Sequence, residues 1–262
     1  MHNKADSPVH YQLPIGDTAV PLNPLLGQEV HMKFSGNIHC IACDRKTNKS
    51  FNQGYCYPCF KNLAACDMCI VRPETCHFDA GTCREPEWGT QHCMQPHYIY
   101  LANTSGTKVG ITRETQIPTR WLDQGASHAL AVFKVNSRLH SGLVESVLKQ
   151  HISDRTDWRR MLKGEPEPVD LSAKRDELID ACGNELRVLE QRFDYSLATL
   201  AAEQQNFSYP VLEYPAKVKA LNFDKTPVVE GALMGIKGQY LLLDSGVINI
   251  RKFAGYYIDL NC

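Results

Sequence analysis

Cys40-Ile41-Ala42-Cys43, followed after twelve residues by Cys56-Tyr57-Pro58-Cys59, is the stretch whose reading decides how this chain folds. Two thiolates separated by two residues can wrap one edge of a tetrahedron. The loop between the pairs then carries the second pair to the opposite edge, with metal–sulfur distances of about 2.3 Å. The spacing therefore predicts a structural zinc site made of Cys40, Cys43, Cys56 and Cys59. Residues 44–49 and 51–57 are expected to form a small hairpin between the pairs, with Gly54 serving its tight turn.

A second set of soft ligands follows at once: Cys66, Cys69, Cys76, His77, Cys83, His92, Cys93 and His97. Closed zinc sites take four ligands, so these residues exceed what one further ion needs. The reading adopted is Cys69, Cys76, Cys83 and Cys93, with Cys66, His77, His92 and His97 as substitutes. Two structural zinc ions are thus expected in residues 40–96. Such ions would hold together a segment rich in Gly and Pro and poor in sustained apolar periodicity. Cys182 and Cys262 are read as bystanders.

Nine of eleven cysteines crowd into 54 positions. No run of about 20 apolar residues is present, and the first 30 residues lack the apolar core of a secretory signal. A cytoplasmic protein with no membrane association is expected, where thiols stay reduced and metal explains paired cysteines better than disulfides do. The 28 basic and 29 acidic residues nearly cancel, yet their distribution is uneven. Residues 97–164 carry ten Lys or Arg against five acids, whereas residues 165–208 carry ten acids against four bases.

Outward from the cysteines the chain divides into five segments and an α+β class. Residues 1–39 read as a β-rich lead-in, with Val30, Met32 and Phe34 alternating before a turn at Ser35-Gly36-Asn37. Residues 97–164 read β-β-α-β-α: strands around Tyr98–Leu101, 108–111 and 129–135, a helix capped by Thr115 and ending at Gly125, and a helix with Leu143, Val144, Val147, Leu148 and Ile152 on one face. Glu165-Pro166-Glu167-Pro168 reads as a linker. Leu171, Leu178, Ile179, Leu186, Leu189, Phe193, Leu197 and Leu200 then recur at helical spacing, so residues 165–208 are expected to be acidic and helical. Residues 209–262 return to strands near 216–221, 228–236, 239–243 and 246–250, and are expected to pair with residues 1–39 in a small sheet or barrel.

The run Tyr98-Ile99-Tyr100-Leu101-Ala102-Asn103, the run Lys108-Val109-Gly110-Ile111-Thr112, then Arg120 and Glu145, resembles the GIY-YIG nuclease superfamily. The resemblance covers about a quarter of the chain. It implies that Glu145 holds one Mg²⁺ or Mn²⁺ beside a scissile phosphate, that Arg120 stabilises developing charge, and that Tyr100 positions or deprotonates the attacking water. Val109 stands where the second motif has tyrosine and Tyr98 where the first has glycine, which puts catalysis in doubt. Across its length the chain also resembles an uncharacterised bacterial domain family of unknown function, through Gly81-Thr82-Cys83-Arg84-Glu85-Pro86, Lys108–Arg113, Arg120–Ala126 and Gly235–Tyr240. That resemblance implies a bacterial setting and no activity.

Two functions from different classes follow. One is a zinc-stabilised nucleic-acid-binding or processing protein with a GIY-YIG-like phosphodiesterase centre, in which Tyr98, Tyr100, Trp121 and Trp158 interleave with Arg113, Arg120, Arg159 and Arg160. The other is a non-catalytic zinc-binding scaffold for protein partners. A thiol redox switch is a third reading, and it requires an exposed cysteine of low pKa.

Overall fold

A computed structural model describes residues 1–193 and 195–262 and shows a mixed α and β protein with three sheets and a cysteine-rich cluster. Strands β1 (His2–Lys4), β2 (His10–Ile15) and β3 (Thr18–Pro21) make a small antiparallel sheet. Strand β4 (Glu29–His39) is the longest, and it runs straight into Cys40. Ser35-Gly36-Asn37 do not end this strand as the alternation suggested. Phe34 pairs with Ile258 and Ile38 with Tyr256, so these three residues face Tyr257 alone and bulge outward, with Gly36 taking φ +86°.

The cysteine-rich region contains little regular structure: β5 (Lys46–Thr47), α1 (Tyr57–Asn62), three turns of 3₁₀ helix and α2 (Pro86–His92). Next come β6 (His97–Asn103), β7 (Thr107–Arg113), α3 (Thr119–Asp123), β8 (His128–Val135), α4 (Arg138–Leu148), α5 (Trp158–Met161) and α6 (Leu171–Phe193). The chain ends with β9 (Gln205–Asn206), β10 (Val228–Lys237), β11 (Tyr240–Leu243), β12 (Gly246–Asn249) and β13 (Tyr256–Asn261).

The central sheet has the order β7-β6-β8-β9, all antiparallel. On one face Ile99, Leu101, Leu130 and Val132 meet Val144 and Leu148 of α4 and Leu171, Leu178, Cys182 and Leu186 of α6. Their spacing along α6 puts them on a single helical stripe, and Asp170 accepts from the N–H groups of Ser172 and Ala173 to start it. The opposite face holds Tyr100, Ala102, Trp121 and Ala129 under α3.

Several sequence expectations change here. Thr115 does not cap a helix: Ile117 is extended, as a residue before proline prefers, so α3 begins only at Thr119. The acidic helix stops at Phe193 instead of continuing to Leu200. Residues 199–206 instead lie beside β8, where Leu200 N–H donates to Val132 O and residues 205–206 pair with 128–129. Covering the open edge of β8 outweighs further helix. Residues 216–221 form no strand, only a bridge from Ala220 to Val247.

The last sheet has the order β12-β11-β10-β4-β13, so β4 is flanked by β10 and β13. Its core joins Val30 and Met32 to Leu233, Ile236, Ile248 and Phe253. The Glu-Pro-Glu-Pro segment is not a free linker. Lys237, fully buried, donates to Glu165 Oε1 at 2.9 Å and to Gly164 O at 3.1 Å, between the rings of Tyr209 and Tyr214. Ser127 and Tyr214 hydroxyls donate to the same carboxylate. Burial pushes the Lys237 ammonium down and Glu165 draws it back up.

Removing Glu165 leaves that ammonium without a counter-charge. Glu165→Ala is expected to cost about 3 kcal/mol in urea unfolding. Lys237→Met, which removes the buried charge itself, is expected to cost less than half as much. Equal losses in the two variants would show that packing, not charge pairing, matters at this joint.

Candidate functional site

Two tight hairpins build the first cysteine cluster. Ile38 and His39 at the end of β4 pair with Lys46 and Thr47, so Cys40 and Cys43 sit in the hairpin loop, where Cys40 N–H donates to Arg45 O. Asp44 takes φ +55° to make this reversal. Phe51 and Tyr55 exchange backbone hydrogen bonds across a second turn, in which Gln53 has φ +64° and Gly54 packs on Ile41. That turn delivers Cys56, which precedes α1, and Cys59 within its first turn. The expected single hairpin between the pairs is thus two hairpins, the first borrowing its partner strand from β4.

The sulfurs of Cys40, Cys43, Cys56 and Cys59 all lie within 4.8 Å of one another. Cys43 Sγ and Cys56 Sγ are 3.7 Å apart. A tetrahedron with metal–sulfur bonds of about 2.3 Å has edges of roughly 3.8 Å, so this separation suits a shared zinc ion and is far too long for a disulfide. Burial pushes the Cys40 thiol up, but backbone N–H groups of Cys56, Ala42 and Cys43 outweigh it and bring the thiol down to about 6. Thiolate is the metal-binding form.

The second cluster is assembled from turns. Cys69, Cys76, Cys83 and Cys93 line one cavity of about 10 Å³, together with Asp67 and His77. The ligand atoms that come within 4.8 Å of one another here are those of Asp67, Cys69 and His77; the four sulfurs do not form such a group. Asp67 escaped the sequence reading, although its place between Cys66 and Cys69 was a usable signal. The Cys69 thiol is pushed up to about 11, by burial first and then by Asp67, Cys76 and Cys93, so this pocket favours a cation. Cys66, His92 and His97 do not line this cavity. Cys66 faces Asn52. His92 stacks on Trp88. His97 is buried in β6 with Nδ1 at 2.7 Å from Gln95 O, and burial pushes its imidazole down to about 4.

Tyr100, Arg120 and Glu145, distant in sequence, come into electrostatic reach of one another. Tyr100 lies across from Gly110 in the β6–β7 pair, and a side chain at Gly110 would collide with its hydroxyl. That hydroxyl is buried, at 1% residue exposure, and accepts from Gln124 Nε2 at 2.5 Å. Glu145 is half-buried on α4; burial pushes its carboxyl up to about 7, opposed by Lys149 and Lys108 and reinforced by Asp154 and Glu74. Lys108, absent from the predicted site, is buried beside them. Burial and then Arg120 push its ammonium down to about 8, while Glu145 and Asp154 draw it up. Only the packing of β7 against residues 151–157, where Val109 N–H donates to Ser153 O, reveals Lys108 and Asp154 as neighbours.

The interleaved aromatic rings are not free platforms. Tyr100 and Trp121 belong to the core under α3. Trp158 is covered by Tyr240 on one side, at 5.7 Å, and by Arg159, at 4.3 Å. No helix among the described residues is long and apolar enough to cross a membrane.

Residues 27–258 match a family model described as "Protein of unknown function (DUF2797)". No curated protein and no solved structure matches the chain.

Cys56→Ser is expected to remove one zinc ion per chain, measured by elemental mass spectrometry. It should also abolish hydrogen-exchange protection in residues 38–60, since closed zinc sites contribute on the order of 10 kcal/mol to folding. Undiminished zinc would refute the assignment of Cys56. For Glu145 the sign is set by its raised value: ionisation opposes folding as pH rises from 4.5 to about 7. Glu145→Gln is therefore expected to exceed the wild type in stability by on the order of 2 kcal/mol at pH 8 without added Mg²⁺, and to show no gain at pH 4. A gain of equal size at both pH values would mean that Glu145 is solvated.

Proposed function

The chain belongs to the DUF2797 family, whose description assigns no function, and we propose that it is a zinc-stabilised protein whose central domain binds and cleaves nucleic-acid phosphodiesters. One observation carries this reading: two carboxylates, Glu145 and Asp154, and two cations, Lys108 and Arg120, converge where β7, α4 and the 151–157 segment meet. The β-β-α-β-α order of residues 97–148 agrees with the GIY-YIG resemblance and supports it further.

Phosphodiester cleavage needs stabilisation of a charged transition state and a route for one proton. Glu145, with Asp154 beside it, would hold Mg²⁺ or Mn²⁺, which when bound supplies Lewis-acid stabilisation at the phosphate. Arg120 is exposed and would meet the non-bridging oxygens. Lys108, with an ammonium near 8, would lend charge or pass a proton at neutral pH. Tyr100 is too buried to meet water and would act as a positioning residue through Gln124 and Arg120. Arg155, next to Asp154, and the following Arg159, Arg160 and Lys163 are exposed and would bind the backbone by charge.

A scaffold role is the second reading, favoured by a groove of about 850 Å³ between the first cysteine cluster and the terminal sheet, where Ile41 and Tyr257 are half exposed. Salt separates the two, because phosphate contacts release counterions.

The deciding experiment is cleavage of labelled single-stranded, duplex and branched DNA and RNA with Mg²⁺ or Mn²⁺. Glu145→Ala and Arg120→Ala, at zinc content equal to the wild type, are each expected to lose at least about 100-fold in rate. Absence of cleavage on every substrate sinks the enzyme, and salt-independent binding would sink the nucleic-acid reading as a whole.

A further inference from the structure

We propose that Cys69, Cys76, Cys83 and Cys93 form a second four-thiolate zinc site whose counter-ion is Arg138, so that one bound ion pins the start of the helix that carries Glu145. This extends the zinc half of the reading above and does not depend on cleavage.

The four thiols arrive on separate pieces of chain: a 3₁₀ turn at Met68–Ile70, the residue after the Pro73–Thr75 turn, the approach to α2, and the residue after α2. All four face a single cavity of about 10 Å³, room for one ion and not for an organic ligand. Four thiolates around Zn²⁺ leave a formal charge of −2, which a partly buried site tolerates only beside positive charge.

Arg138 supplies it. Its Nη2 donates to Ile70 O at 2.5 Å and its Nε to Cys69 O at 3.3 Å, while its backbone N–H donates to Cys93 O at 2.7 Å. Among the described residues no carboxylate lies within 4.0 Å of this guanidinium. The anionic groups that act on it most are Cys93, Cys69 and Cys76. Arg138 is also the first residue of α4, so the positive end of the helix dipole adds to its charge.

Asp67 and His77 have ligand atoms within 4.8 Å of Cys69 Sγ, closer than the four sulfurs stand as a set, but both are held by other partners and are assigned to the outer ring, so ion binding has to draw the thiolates together. Asp67 Oδ2 accepts from Arg84 Nε at 2.7 Å and lies 3.5 Å from His77 Nε2, and His77 Nδ1 is 2.8 Å from Thr82 Oγ1. Helix α4 in turn rests on the turn that leads into Cys76. A Cβ at Gly142 would collide with the backbone of Glu74 and come within 2.6 Å of Pro73. With that close approach and the Arg138 bonds, the ion and the first turns of α4 are one mechanical unit, and Glu145 follows one turn later.

The test is a zinc count on the full-length zinc-loaded protein, with X-ray absorption at the zinc edge. Two zinc ions per chain with an average of four sulfurs at about 2.3 Å are expected. Cys56→Ser should retain one ion, still with four sulfurs. A single ion in the wild type, lost in Cys56→Ser, would overturn the second site and leave the first standing. Two ions averaging fewer than four sulfurs, with Asp67→Asn releasing one of them, would overturn the thiolate set. Arg138→Met is expected to weaken the second ion at least tenfold against a chromophoric chelator, with Arg138→Lys in between. Unchanged affinity in Arg138→Met would overturn the counter-ion role.

Discussion

Four cysteine sulfurs lie within 4.8 Å of one another, a spacing that can hold a metal ion, and the strand that carries the first of them organises much of the rest of the molecule. The strand that leads into Cys40 is the one that β5, β10 and β13 all pair with. Closing a metal site at its end therefore fixes where the terminal sheet starts, not merely a local loop. Among the described residues, none of the four apolar core clusters draws its buried residues from the cysteine region, so ligation of an ion would be its main source of folding energy. The sheets on either side depend on apolar burial instead, through Leu233, Ile236 and Ile248 in one and Ile99, Leu101 and Val144 in the other.

Charge pairing then joins these parts. Lys237 of the terminal sheet meets Glu165, from the chain just beyond α5, and Arg138 of α4 meets the carbonyls of the cysteine region. Each cation leaves its own element and is satisfied by another. Lys237 is buried while Glu165 is 47% exposed, so the penalty for parting lies with the cation, which would be left uncompensated, and with the hydrogen-bonded pocket around Arg138. The family match across residues 27–258 spans all of these joints.

What the sequence made legible was whatever depends on near neighbours. Paired cysteines two residues apart announce their geometry directly, and short β-rich runs marked β6, β7 and β8. The helical stripe of α6 was visible as far as Phe193. Beyond it Leu197 and Leu200 continue the same period, yet neither is helical and Leu200 bonds to β8 at Val132 O, because the vacancy beside that edge is a property of the sheet and not of the segment. Glu-Pro-Glu-Pro looked like a linker for the same reason: its partner, Lys237, is 72 residues away. Lys108 and Asp154 were unreadable as site members until β7 and residues 151–157 were seen side by side.

The two candidate centres differ in how their electrostatics are resolved. In the first cysteine cluster backbone N–H groups favour a thiolate at Cys40, while the neighbouring sulfurs push the Cys59 thiol up. Around Glu145 burial holds the carboxyl back from ionising while a buried lysine is held back from protonation. Each group therefore carries an electrostatic penalty in its charged form, which a change of protonation or an added opposite charge removes. A divalent cation beside Glu145 or a phosphate beside Lys108 and Arg120 would each relieve part of it, and both together would relieve most. Lys237 and Glu165, by contrast, show how the same fold settles a buried lysine by direct pairing across two of its parts.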